Sequence, residues 1–114
     1  MTVACEDVGR CDVLLHRRSD EKVGVLWREN VEGAYRAKDL SRWTASFQML
    51  LDDGTGVYAQ ACVCTSDGYA IAYIPYTAFM SDEWNARTFG EWRIDGTGPD
   101  GEHRLLAWGY WRLS

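Results

Sequence analysis

The sequence lacks the residue groupings with which common enzymes carry out catalysis. It has two histidines, His16 and His103, and both lie in or beside predicted strands, with no Gly-x-Ser-x-Gly turn to present a nucleophile. Paired carboxylates such as Asp52–Asp53 fall in predicted turns, where acidic residues are common. The glycine pairs at 54–56 and 96–98 are not followed by the Lys-Ser/Thr of a phosphate-binding loop. These absences predict a protein that is not an enzyme.

Basic residues and long apolar runs are also scarce, and each shortage excludes a class of partner. Lys and Arg number 12 against 17 Asp and Glu, a net charge of −5, whereas nucleic-acid binding needs a basic surplus to neutralise phosphates. No apolar run approaches the roughly 20 residues of a transmembrane helix. The segment Met1–Asp7 has neither the basic nor the apolar part of a signal peptide. We expect a cytosolic protein without nucleic-acid or membrane partners.

The four cysteines, Cys5, Cys11, Cys62 and Cys64, are too few and too unevenly spaced to suggest a site. In a reducing cytosol they are not expected to form a disulfide framework. Cys62 and Cys64 stand two apart on one predicted strand, so they point to the same face and cannot easily bridge each other. A zinc site would need more ligands. The acidic residues at 95–102 could bind calcium, but their spacing is not that of an EF-hand, so calcium is a weaker alternative. We expect reduced thiols packed in a sheet, with no metal and no cofactor.

What the chain does contain is alternation of apolar and polar side chains, clearest over Leu40–Gly54. This segment ends in Asp-Asp-Gly, a turn signal. A period of two is typical of a strand whose sheet has one buried and one solvated face. The residues expected to face the core are Trp43, Ala45, Phe47, Met49 and Leu51.

The same alternation recurs along the chain and predicts a single all-β domain over residues 11–114, preceded by a loose lead-in over residues 1–10. Residues 30–39 are expected to be a polar connection, and residues 76–87 a short helical crossover. The architecture predicted is an antiparallel two-sheet sandwich of immunoglobulin-like type, with a small barrel as the alternative. The seven or so strands are Cys11–His16, Val23–Glu29, the Leu40–Gly54 segment, Gly56–Thr65, Tyr69–Ile74, Phe89–Asp95 and His103–Leu113.

Aromatic residues are unusually frequent, at 13% with six Trp. In the last strand Trp108 and Tyr110 face one side and Trp111 the other, so both sides of that strand need a neighbour or a partner. Trp84, in the crossover, is expected to expose its ring. Exposed Trp and Tyr can anchor protein interfaces or stack on sugars. The predicted binding residues are therefore Trp84, Trp108 and Tyr110.

Several short motifs occur in an order that resembles the small β-sandwich domains of tailed bacteriophages, over residues 12–114. These domains include the N-terminal domains of upper baseplate proteins and the LtfC-like sandwich domains. The motifs are Asp-Leu-Ser-x-Trp at Asp39–Trp43, the Ser66–Gly68 hairpin turn, Ile-x-Tyr-Ile-Pro ending at Pro75, Gly-x-Trp at Gly90–Trp92 and Leu-x-Trp-Gly at Leu106–Gly109.

The resemblance implies a virion component that is assembled in the host cytoplasm and works by protein–protein assembly rather than chemistry. It would be a tail, baseplate or minor structural protein, and its partners would be other virion proteins or further copies of itself. Two alternatives remain open at this point. One is a carbohydrate-binding module for host adsorption, marked by a coplanar row of exposed aromatic rings. The other is a small phage-encoded inhibitor of a host protein, which the acidic charge would suit.

Overall fold

The computed structural model describes the backbone of residues 2–6 and all atoms of residues 10–114, and in this part the chain is mainly strand. One short 3₁₀ helix, Asp82–Ala86, interrupts the strands and lies within the predicted crossover of residues 76–87. The strands are β1 (Thr2–Glu6), β2 (Val13–Leu15), β3 (Glu21–Leu26), β4 (Arg28–Val31), β5 (Ala34–Ala37), β6 (Thr44–Leu50), β7 (Gly56–Ala61), β8 (Val63–Cys64), β9 (Tyr69–Ile74), β10 (Phe89–Thr97) and β11 (His103–Leu113).

Two sheets pack face to face and confirm the predicted all-β sandwich. One sheet has the order β1-β3-β9-β8 and the other β2-β11-β10-β6-β7, while β4 and β5 form a separate two-stranded hairpin. Most pairs are antiparallel, but β1 pairs with β3, and β2 with β11, in parallel. Of the predicted lead-in, residues 1–10, the structure describes the backbone of residues 2–6, which form strand β1, and Arg10, which forms an isolated bridge to Trp108. Strands β1 and β2, which form these parallel pairs, each lie at the edge of a sheet.

The core lies between the two sheets and follows the alternation seen in the sequence. Along β6 every second residue is buried, so the period of two was a correct guide to which face turns inward. The opposing sheet contributes the inward residues of β3 and β9. The buried apolar side chains from these three strands are Ala45, Phe47, Met49, Val23, Val25, Ala70, Ala72 and Ile74.

The predicted strand Gly56–Thr65 is divided at Cys62, where the chain leaves one sheet and enters the other. The Cys62 amide donates to the Ala45 carbonyl oxygen (2.8 Å) before β8 joins β9. Tyr58 turns inward and its ring meets Phe47 edge-on, with centroids 6.4 Å apart. One continuous segment therefore forms the edge of both sheets on this side of the sandwich.

The cysteines divide into two kinds. Cys62 and Cys64 are free and partly buried, as expected, and burial raises the pKa of the Cys62 thiol to about 12. Cys11 is disulfide-bonded, so the prediction of reduced thiols throughout is wrong for this residue. An argument from the redox compartment alone could not predict this bond.

The crossover buries the tryptophan that was expected to be exposed. Trp84 is only 3% exposed, because its ring packs edge-on against Phe79 (centroids 4.8 Å) and Trp111 (6.3 Å). Arg17 holds the turn in place by donating from Nη1 to the Trp84 carbonyl oxygen (2.6 Å). The prediction of an exposed Trp84 ring is wrong, because the 3₁₀ turn Asp82–Ala86 folds back over the end of the core.

A tryptophan and a glycine stand directly opposite each other where β10 meets β11. Trp92 of β10 pairs in register with Gly109 of β11, and the Trp92 indole crosses this glycine to donate from Nε1 to the Cys11 carbonyl oxygen (2.8 Å). A Cβ at Gly109 would lie 1.9 Å from that same oxygen. Only glycine permits this approach of strand, ring and loop.

The same arrangement occurs a second time, with the glycine now on β10 and the tryptophan on β11. Gly90 of β10 pairs with Trp111 of β11, whose indole Nε1 donates to the Leu50 carbonyl oxygen (3.1 Å). A Cβ at Gly90 would lie 2.0 Å from this oxygen. The two central strands are thus joined by reciprocal Trp–Gly pairs on their core side, which fix the positions of the side chains on the other side.

Residues 28–37 form a hairpin rather than the polar connection that was expected. Strands β4 and β5 pair in register through a two-residue turn, in which Glu32 (φ 53°) and Gly33 (φ 86°) both adopt left-handed backbone conformations. The prediction failed because these strands lack alternating apolar residues. The molecule measures 50 × 26 × 22 Å along its principal axes.

Candidate functional site

The side of the β2-β11-β10-β6-β7 sheet that faces away from the core carries the candidate site. On β10 and β11 the outward residues stand opposite one another in four successive rows: Phe89 with Arg112, Glu91 with Tyr110, Arg93 with Trp108, and Asp95 with Leu105. Strand β2 adds Leu14 beside Arg112. We call these nine side chains the outer face.

The outer face is notable for its exposed apolar groups. Phe89 is 56% and Tyr110 44% exposed, Leu14 and Leu105 are also exposed, and Trp108 is half-buried. Single exposed apolar side chains are normal on protein surfaces, whereas neighbouring ones often mark a binding site. Here they lie on adjacent strands of one sheet and on the same side of it, so they share one surface.

Tyr110 is held in place by charged neighbours. Arg10 donates to both carboxylate oxygens of Asp12 (3.0 and 2.8 Å), and its guanidinium lies 4.7 Å from the centre of the Tyr110 ring. Asp12 also accepts a hydrogen bond from the Tyr110 amide (3.1 Å), and the Arg10 and Tyr110 bonds together lower the pKa of Asp12. The Tyr110 ring is therefore exposed but oriented.

The middle of the outer face is polar. Arg93 donates from Nε to Gln48 (3.2 Å) and forms an ion pair with Asp95 (3.2 Å). A depression of about 240 Å³ lies here, bordered also by Leu105 and Trp108. Glu91 borders it as well, so its charged side chains, Glu91, Arg93 and Asp95, sum to −1, and the Arg93–Asp95 pair leaves one negative charge here.

A second depression lies at the end of the sheet where β10 begins. It has a volume of about 300 Å³ and is bordered by Arg10, Asp12, Phe89, Tyr110 and Arg112, among others. Its two arginines and one aspartate give a net charge of +1. We call it the terminal depression.

The structure brings together two of the three predicted binding residues. Trp108 and Tyr110 are neighbours on the outer face, with ring centroids 5.9 Å apart, whereas Trp84 lies in the core. Phe89 and Arg112 were not predicted as site residues. Their positions, two residues from Glu91 and from Tyr110, place them on the same side of their strands and could have indicated this.

The described residues offer little to support metal or acid–base chemistry. Among the side chains of residues 10–114 no group of three His, Cys, Asp or Glu is placed to hold a metal ion. His16 and His103 are near hydroxyl groups, those of Ser114 (3.4 Å) and Thr97 (3.1 Å). Nor does the described part of the chain contain a helix with the length and apolarity needed to span a bilayer. The arrangement on the outer face is suited to binding.

Comparison with known proteins gives a match in fold but none in sequence. No protein-family profile matches the chain, and no curated protein matches it in sequence. Among solved structures, the chain is similar to one described as the N-terminal domain of phage TP901-1 ORF48, with a TM-score of 0.60 and 10% sequence identity. The match covers 99% of this chain and 96% of that one. The chain therefore has the fold of a phage protein domain along nearly its whole length.

Proposed function

We propose that this chain is a non-enzymatic structural protein of a phage particle, a tail, baseplate or minor virion component that acts by protein–protein assembly. The observation that carries the proposal is the outer face, a continuous exposed surface on a fold shared with a phage domain. Phage particles are built by repeated contacts between folded domains. A sheet surface with neighbouring exposed apolar groups is suited to such contacts.

Tyr110 is the residue expected to contribute most to binding through this face. Tyr, Trp and Arg dominate protein interfaces, because they bury a large surface and also form directed polar contacts. Tyr110 is already oriented by Arg10 and Asp12, so little side-chain entropy is lost when a partner covers it. Truncation to Ala should weaken binding by about 2 kcal/mol or more.

A protein partner fits the aromatic geometry better than a glycan does. The rings of Trp108 and Tyr110 lie at 73° to each other, in an edge-to-face arrangement. Carbohydrate platforms use exposed rings in a common plane, and these two rings do not form one. Fluorescence titration with host-envelope glycans checks this: quenching that the Tyr110→Ala variant abolishes would favour the carbohydrate-binding alternative.

The proposal is tested on particles of the phage that encodes the chain. Mass spectrometry of purified particles should detect the protein, and the Tyr110→Ala variant supplied in its place should be depleted. Tyr73→Ala is the matched control, since Tyr73 is similarly exposed (46%) but lies on the opposite sheet. Absence of the wild-type protein from particles would overturn the proposal, and equal incorporation of both variants would remove the outer face from it.

A further inference from the structure

The hairpin of residues 28–37, which we call the arm, has exposed apolar groups away from the outer face. Every residue from Asn30 to Ala37 is exposed, including Tyr35 at 68% and Val31 at 38%. The strands are four residues long, so the arm reaches roughly 13 Å. Its burial pattern shows that it is not covered by the sandwich.

The arm is attached firmly at its base. The Trp27 amide donates to the Gly68 carbonyl oxygen (2.8 Å), and the Lys38 amide donates to the Trp27 carbonyl oxygen (3.0 Å). Lys38 also forms an ion pair with Glu29 (3.2 Å) across the hairpin. An isolated two-stranded hairpin is only marginally stable in water, so an arm that exposes Tyr35 gains from a surface to pack against.

The arm and the terminal depression lie at opposite ends of the molecule. Strand β10 begins at Phe89, which borders the depression, and ends at Thr97, roughly 26 Å away. The arm is rooted at the Thr97 end, where Lys38 lies 5.9 Å from the centre of the Trp43 ring. The arm of one molecule therefore cannot reach its own depression, but it can reach that of a neighbour.

The charges at the two ends are complementary. The tip of the arm, residues 30–35, carries one charged residue, Glu32, beside Val31 and Tyr35. The terminal depression has a net charge of +1, and Arg112 takes no part in the ion pairs found between described side chains. The tip of the arm thus offers one carboxylate flanked by apolar groups, and the terminal depression offers arginines beside the aromatic rings of Phe89 and Tyr110.

We propose that the arm of a second copy of this chain occupies the terminal depression, with Glu32 against Arg112 and Tyr35 against Phe89. The inference rests on the proposed assembly function and names one of its partners. Because the contact joins different surfaces of the two copies, it closes into a two-fold pair or ring, or continues as a filament. It would link copies within an assembly while Trp108 and the middle of the outer face remain available.

Charge reversal tests this contact with two single variants and their mixture. Light scattering across a concentration series should show that the wild type self-associates, and that Glu32→Arg and Arg112→Glu each weaken association about tenfold or more. Mixing equal amounts of the two variants should restore it. In the mixed pair, one contact has native charges and the other has both charges reversed, so neither contact places like charges together.

Two controls make the same charge changes elsewhere. Asp52→Arg and Arg42→Glu alter exposed residues outside both surfaces and should associate as the wild type does. Tyr35→Ser should also weaken association, while circular dichroism confirms that each variant is folded. A monomeric wild type, or variants that fail to recover on mixing, overturns this inference. Detection of the wild-type protein in purified particles does not depend on this contact and then still tests the proposed function.

Discussion

Gly109→Ala should destabilise the protein strongly although it adds a single methyl group. The new Cβ would lie 1.9 Å from the Cys11 carbonyl oxygen and 2.9 Å from the Trp92 Nε1, so backbone and ring must both move. Forcing atoms into a packed core costs about 1–3 kcal/mol. Loss of the bond from Trp92 to Cys11 leaves a buried donor unpaired, at about 1–3 kcal/mol more.

The expected loss is therefore about 2–6 kcal/mol in the free energy of unfolding, a large part of the roughly 5–15 kcal/mol of a typical domain. Urea unfolding followed by tryptophan fluorescence measures it from the midpoint and slope. Gly56→Ala is the matched control, because no atom lies within 4 Å of the added Cβ. It should be neutral or stabilise by up to about 1 kcal/mol. If Gly109→Ala costs less than about 0.5 kcal/mol, the close approach of β11 to Cys11 is wrong.

Three further predictions concern the crossover, the outer face and the thiols. Trp84→Ala should lower the free energy of unfolding by about 3–5 kcal/mol in the same urea assay, because removal of the buried ring leaves a cavity. If Trp84 were exposed, the substitution would change the free energy of unfolding little. An NMR titration should give the Asp12 carboxyl a pKa below its ordinary value of 3.8. The stability that the Arg10–Asp12 bond contributes should be lost as pH falls through that lowered value, and Arg10→Ala should return the pKa toward 3.8. The free energy of unfolding should fall as pH rises from 9 toward about 12, because the Cys62 thiol ionises in the unfolded chain at a lower pH than in the folded one. The Cys62→Ala variant should show a smaller fall, and an unchanged pH profile would contradict the burial of the thiol.

The strands could be predicted where apolar alternation and turn residues agree. Strands β9 and β11 begin and end at the predicted residues, because Ser66–Gly68 and Pro75 bound the first and the glycine-rich turn at 96–101 precedes the second. The pairing of β2 with β11 in parallel could not be predicted, since neither strand alone carries information on its neighbour. The arm was missed for a different reason: an exposed hairpin has no buried face and therefore no period of two.

The candidate site could be predicted only in part. The opposite orientation of Tyr110 and Trp111 follows from strand geometry, and the structure confirms it. Trp84 was misjudged because the crossover has no periodic pattern, and its burial depends on Phe79 and Trp111, one of them far along the chain. The orientation of Tyr110 by Arg10 likewise depends on a contact between residues 100 positions apart.

The reciprocal Trp–Gly pairs offer a way to recognise distant relatives. Residues 90–92 and 109–111 are both Gly-x-Trp, and two copies of this tripeptide on neighbouring antiparallel strands place each Trp opposite the other copy's Gly. The four residues should therefore change together in evolution: a chain that loses one Trp no longer needs the facing Gly. At 10% identity overall sequence similarity is a poor guide, whereas two Gly-x-Trp tripeptides separated by one glycine-rich turn are a pattern that can be searched for, and the residue between Gly and Trp lies on the outer face.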